Sequence, residues 1–199
     1  MISLNTLDLI TRFKKRLFSG SYLFLFKKYF GHIGHTVRIY NPLRINGYSH
    51  ISIGDDVRIA EQAWIEALPL TGEQCSLIIK SGVRIGHFNH IFCTKSVIIE
   101  ENVLTADRVY ISDNAHNYSD ISIPIMHSPI KQLKEVVIGE GSWLGENVCV
   151  IGAVIGKHCV IGANSVVTRD IPDYSVAVGA PARVIKRYNC TSKVWEKVI

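Results

Sequence analysis

Aliphatic residues recur along this chain at intervals of six: Ile33, Ile39, Ile45 and Ile51; Ile53, Ile59 and Ile65; Ile79, Ile85, Ile91 and Val97. The count slips by two and resumes at Ile99, Thr105 and Ile111. After an interruption it returns at Ile138, Leu144 and Val150, then at Ile155, Ile161 and Val167. Thr105 is the one polar member. A small residue is common just after the aliphatic one (Gly34, Gly54, Ala60, Gly86, Gly139, Gly145, Gly156), and a small or branched one stands four after it (Val37, Val57, Ala63, Val83, Val148, Cys159). This period fits neither the helical repeat of about 3.6 residues nor the simple alternation of a strand. It fits a triangular solenoid in which short strands form flat sides, each large aliphatic points inward, and glycines admit turns that a Cβ would strain. Stacked coils satisfy one another's backbone groups and build a continuous core that no single repeat could bury.

The breaks in the pattern divide the chain. Residues 117–134, with Pro124 and Pro129 and no repeat aliphatic, read as a loop extruded from the solenoid, and Leu68 to Ser76 as a smaller excursion. Ahead of the repeats, Leu4, Leu7, Ile10, Phe13 and Leu17 fall at three- and four-residue spacing, with Arg12, Lys14, Lys15 and Arg16 elsewhere on the wheel. That spacing predicts an amphipathic helix. The expected units are an N-terminal helical segment over 1–32, a solenoid over 33–188 and a tail over 189–199, in which Ser192 to Ile199 is either a short helix or frayed. The first segment either caps the open end of the solenoid or lies on an anionic membrane through residues 1–30.

Composition changes this picture only at the edges. A chain of 199 residues, 47% hydrophobic and 20% charged, suits one globular unit with a substantial core. The formal charge of +5 points to a partner carrying negative charge without naming it. The five cysteines, Cys75, Cys93, Cys149, Cys159 and Cys190, form no CxxC pair, which suggests reduced thiols and a cytoplasmic location. The longest early apolar run, Tyr22 to Phe26, is far shorter than the roughly 20 residues that span a bilayer.

The repeats, with the ordered segments Val136 to Gly145, Ile161 to Asp170 and Gly179 to Ile185, resemble the hexapeptide-repeat acyltransferases. The likeness is to the sugar O-acetyltransferases related to galactoside, maltose and polysaccharide-modifying enzymes, and it covers about residues 33–188. It implies a left-handed parallel β-helix, acetyl-CoA as co-substrate, a sugar acceptor and a homotrimer whose active sites are shared between subunits. No metal and no nucleic acid enter that scheme, which is set in the cytoplasm or at the inner membrane surface.

His116 carries the chemistry that the resemblance implies, because it ends the segment Val109 to His116 where the repeat gives way to the loop. A sugar hydroxyl attacking a thioester needs a base to take its proton, and histidine suits the task because its ordinary pKa lies near neutrality. Many relatives read Asp-His-Asn-His here, whereas this chain has Asp113, Asn114, Ala115 and His116. The resemblance further assigns the backbone N–H of Glu146 to the tetrahedral oxyanion, although relatives usually carry a small or polar residue there. Trp143, as a packing residue at the rim, and Gly145, Ala163, Ser165, Thr168 and Arg169 match the CoA groove; Arg183 and Lys186 match positions near the CoA phosphates. Asn89 occupies a slot that is elsewhere small or branched, so its amide is either locally satisfied or turned toward a ligand; acceptor contact is the reading taken. Asp113 is the second acceptor-side residue and a candidate to orient His116.

Other readings stay open on these residues. His87, His90 and His116 invite comparison with the γ-type carbonic anhydrases of the same solenoid, but His87 and His90 stand three apart on one repeat, where zinc needs convergence. An amine acceptor on an amino sugar or antibiotic is the alternative within the transferases.

Overall fold

The computed structural model describes residues 4–72 and 74–198, with side chains from residue 7 onward. Residues 1–3 and the Leu4 side chain of the expected N-terminal segment, Glu73 of the smaller excursion, and Ile199 of the expected tail lie outside the described residues.

The six-residue period becomes a three-sided parallel solenoid. Successive short strands visit three sheets in rotation, so each sheet stacks strands taken from successive coils. The first face runs from His32–Ile33 to Val154–Ile155, the second from Arg38–Ile39 to Val160–Ile161 and beyond, and the third from Arg44–Asn46 to Val166–Val167. Register puts rung upon rung: Ile33, Ile53, Ile79, Ile99, Ile138 and Ile155 pair in sequence on the first face, and Ile45, Ile65, Ile91, Ile111, Val150 and Val167 on the third. Every rung from Ile39 to Val167 is buried, Thr105 included.

The small residue after each rung has a different cause from the one expected. Positive φ falls three positions after the rung, at Asp56, Gln62, Phe88, Asn102, Arg108 and Asn147, where side chains tolerate it. The glycines one position after the rung are needed because coils stack closely. A Cβ on Gly86 would stand 2.2 Å from the Ala106 carbonyl oxygen, and one on Gly139 2.4 Å from the Gly156 backbone.

The helix α1 (Leu4–Phe26) leads into the first coil, and its second half docks there. Ser19, fully buried, accepts the Ile39 N–H at 3.0 Å, and the Tyr22 and Tyr48 hydroxyls meet at 2.9 Å. The expected apolar stripe does not make that contact: Leu7, Ile10, Phe13 and Leu17 stay exposed while Tyr22, Leu23 and Phe26 pack on the core. Among the described residues no helix is long and apolar enough to cross a membrane.

The extruded loop stands on a hairpin stem, Asn114–His116 paired antiparallel with Ile130–Gln132. The smaller excursion leaves the same corner, and Thr71 reaches Gln132 across it at 2.8 Å. The expectation of a helical or frayed C-terminal tail is corrected. Arg183–Asn189 turns back antiparallel on the second face, and Val194–Lys197 pairs with it in turn, with Tyr188 against Trp195.

Candidate active site

His116 ends the outgoing strand of the hairpin stem, at the corner between the third and first faces. Its side chain is exposed and takes no hydrogen-bond partner among the described residues. Thr168 and Arg169 follow the last strand of the third face and occupy the same corner, both exposed.

Glu146 stands at the opposite edge of the third face, where the second face turns into it. Its backbone N–H has no partner among the described residues, and its carbonyl accepts the Asn164 N–H at 2.8 Å. The Glu146 carboxylate is drawn down the corner to Arg108 at 2.7 Å. Ala163, exposed, lies one coil above at this corner, and Trp143, 44% exposed, points out of the adjoining second face. Arg183 and Lys186 lie exposed on the returning strand of that face. Within one chain His116 and Glu146 are thus separated by the width of a face, roughly 15 Å at strand rise.

Four expected contacts are corrected by burial. Asn89 has no exposed surface; it donates to the Ala106 carbonyl at 2.8 Å and to the His87 carbonyl at 3.2 Å, and accepts from the Thr105 hydroxyl at 2.8 Å. The amide is consumed inside the coil and does not face an acceptor. Asp113 is likewise fully buried, accepting from the N–H groups of Thr94 at 2.8 Å and of Lys95 and Ser96 at 2.7 Å each, and from the Thr94 hydroxyl at 3.1 Å. It clamps the turn of the coil below and does not hold His116. Ser165, also without exposed surface, donates to the Gly162 carbonyl at 2.6 Å and accepts the Gly179 N–H at 3.0 Å. Gly145 is buried, and a Cβ there would stand 2.7 Å from the Ala163 nitrogen, so it lets coils stack and does not line a groove.

The three histidines compared with a zinc site lie apart. His90 stacks on Trp64 at 4.3 Å on the third face, and burial pushes its imidazole below the ordinary histidine range. His87 sits at the corner of the second and third faces between Asp107 at 3.1 Å and Glu61 at 2.8 Å. Among the described residues no group of three His, Cys, Asp or Glu side chains is arranged to hold a metal ion.

The Glu61, His87 and Asp107 cluster was missed by sequence reasoning although its signal was present. Each residue stands two positions after a rung (Ile59, Ile85, Thr105), which places all three on one corner. Lys15 of α1 joins Glu61 at 2.7 Å. Burial would raise the Glu61 carboxyl, but Lys15 and His87 hold it below the usual carboxylate range.

The chain has relatives among known proteins. The family model for the bacterial transferase hexapeptide (six repeats) matches residues 135–169. The chain is 41% identical over 128 residues to the putative lipopolysaccharide biosynthesis O-acetyl transferase WbbJ of Escherichia coli (strain K12), a match covering 61% of this chain and 65% of that protein. It is 35% identical over 141 residues to the galactoside O-acetyltransferase of the same organism, covering 68% of this chain and 66% of that one. The chain therefore spans just under two thirds of the length of these curated relatives. A solved maltose O-acetyltransferase from Clostridium difficile 630 superimposes with a TM-score of 0.53 at 27% identity, covering 87% of this chain and 86% of that structure.

Proposed function

The chain belongs to the hexapeptide-repeat acyltransferases, and from that premise we propose that it moves an acetyl group from acetyl-CoA to a hydroxyl of a sugar or cell-surface polysaccharide precursor. The observation that carries the reading is His116, whose imidazole stays exposed and unengaged on the corner it shares with Thr168 and Arg169. An acceptor hydroxyl lies far above neutrality in pKa, so His116 takes its proton as the new C–O bond forms. Acetyl-CoA supplies the activated thioester. The unpartnered N–H of Glu146 donates to the oxygen that becomes negative in the tetrahedral intermediate. Trp143, Ala163, Thr168 and Arg169 line the donor groove, and the charges of Arg183 and Lys186 suit its phosphates.

Because His116 and Glu146 stand on different corners of one chain, both reach one substrate only when a neighbouring copy brings its corner alongside. This supports a homotrimer of left-handed β-helices with its active sites between subunits. An amine acceptor fits the same machinery, since an ammonium also must lose a proton before attack.

Replacing His116 with alanine tests the proposal. The kcat falls by roughly 10²–10⁴-fold, the loss expected when proton removal goes but positioning and the oxyanion donor remain. Acetyl-CoA affinity, measured by calorimetry, stays within a few-fold. A variant that folds, binds acetyl-CoA and turns over like the wild type rules out this assignment, and a screen of sugars and amino sugars for release of the CoA thiol separates the two acceptor classes.

A further inference from the structure

On the second face the residue just before each rung points outward, and on the first coils that residue is arginine. Arg38 pairs in register with Arg58, and Arg58 with Arg84, so three arginines stand side by side on neighbouring strands whose backbones are about 4.8 Å apart. Like charges directly opposite one another are unfavourable unless a counter-charge intervenes. Asp56 provides part of one: it accepts from Arg84 at 2.6 Å, and that hydrogen bond holds its carboxyl below the usual range, while Arg58 is 3.9 Å away. Arg38 has no carboxylate partner within ion-pair distance among the described residues.

The helix α1 adds further positive charge on the same side. Arg12, Lys15 and Arg16 share one helix face by their spacing, and they close a cavity of about 530 Å³ with Tyr40, Arg58, Glu61 and His87. Four cations and a single carboxylate line that cavity, and the carboxylate is engaged by Lys15 and His87. A smaller space of about 160 Å³ continues it past Tyr40 to Arg38 and Asp56. The first cavity has the volume of ordinary small-molecule sites. Arginine predominates over lysine, and its planar fork matches phosphate oxygens in pairs.

Two residues that line the cavity, Glu61 and His87, stand on the corner that carries Glu146. The backbone ladder there is continuous, from Glu61 to Phe88, His87 to Arg108 and Asp107 to Asn147. His87 and Glu146 are two coil steps apart, about 10 Å, which is the span of a hexose attached to a phosphate.

We propose that the cleft between α1 and the second face binds a phosphoryl or diphosphoryl group carried by the acceptor, held by Arg12, Arg16 and Arg58, with the attached sugar laid along the corner toward Glu146. The proposal rests on the acetyltransferase reading for the sugar but not for the phosphate. Its ligand chemistry is shared by soluble nucleotide sugars and by lipid-linked sugar phosphates.

The test titrates inorganic pyrophosphate into the full chain by calorimetry, with CoA at saturation so that the donor groove is filled. Wild type binds with an affinity that falls as salt rises. The double variant Arg16→Gln/Arg58→Gln loses at least tenfold in affinity, Arg16→Lys/Arg58→Lys keeps part of it, and Lys197→Gln, exposed at the far end, matches wild type. Unchanged circular dichroism and CoA binding show that the variants fold. Displacement of pyrophosphate by UDP-glucose identifies a nucleotide carrier, and displacement only by phosphatidylcholine vesicles bearing phosphatidic acid identifies a lipid one. No pyrophosphate binding by wild type, or equal binding by the Gln variant, overturns the site; arginine-dependent binding that neither competitor displaces overturns its assignment to a sugar carrier. Failure of acetyl transfer to every sugar, with arginine-dependent pyrophosphate binding intact, removes the acetyltransferase reading and leaves the phosphate site standing.

Discussion

A carboxylate with no exposed surface persists only where donors replace its water, and the turn formed by Thr94, Lys95 and Ser96 supplies them to Asp113. Asp113→Asn sets an amide N–H₂ against those N–H groups and lowers stability by about 2–4 kcal/mol in urea denaturation. The kcat/KM of the folded fraction stays near wild type, whereas loss of an acceptor contact would lower it at unchanged stability. His90 makes a pH-dependent contribution. Burial holds its folded-state pKa below the ordinary 6.5, against an opposing influence from Glu66, so below that value the unfolded chain takes up a proton that the folded chain refuses. Stability is therefore lost on acidification, and the Tm falls between about pH 7 and pH 5. His90→Phe, which keeps the stack on Trp64, flattens that fall; an unchanged slope would show that the titrating group lies elsewhere. The place of His116 at the foot of the extruded loop was legible because a broken repeat marks it. The burial of Asn89 was not, because the pattern shows two exceptions, a polar rung at Thr105 and an amide at Asn89, and only the fold reveals that each satisfies the other.

At the scale of elements, the strands of all three faces were readable because one residue type recurs at one spacing and each coil repeats the same burial. The elements at the two ends have no such redundancy. The helix α1 was evident as a helix, but its apolar stripe did not identify the docking face, since its apolar packing on the core is made by Tyr22, Leu23 and Phe26 in its last turns. The contact that closes the coil edge there is polar: Ser19 satisfies the N–H of Ile39, which the solenoid itself leaves without a strand on that side. Ser19→Ala strands that buried N–H and costs about 1–2 kcal/mol. Amide exchange at Ile39 speeds up in the variant while that at Ile111, deep in the stack, keeps its rate. Equal protection at both positions would mean that the helix does not close the solenoid. The C-terminal hairpin lacked the repeat but had a signal of its own, Val184, Tyr188, Val194 and Trp195 around the turn from Asn189 to Lys193.

Across the whole molecule the parallel stack fixes what one chain can bring together. Groups at the same corner are one coil apart, and groups at neighbouring corners are held apart by a rigid face that no side-chain rotation spans. His116, Thr168 and Arg169 lie at one corner and Glu146 and Ala163 at another, so a shared site requires two copies. Subunit mixing tests this directly. His116→Ala removes the base, and Ala163→Trp fills the exposed groove position above Glu146 while leaving the rungs untouched. Each variant alone is nearly inactive. Co-refolded in equal amounts, random assembly gives every interface an intact His116 from one side and an intact Ala163 from the other with a chance of about one quarter, so about a quarter of wild-type activity returns. A site contained within one chain would gain nothing, because every chain in the mixture carries a defect. Sedimentation of the mixture as a species near three times the 22.3 kDa chain, with activity restored, supports the shared site. Trimers without recovery place both halves of the chemistry in a single chain, and a fully active monomer rejects the assembly outright.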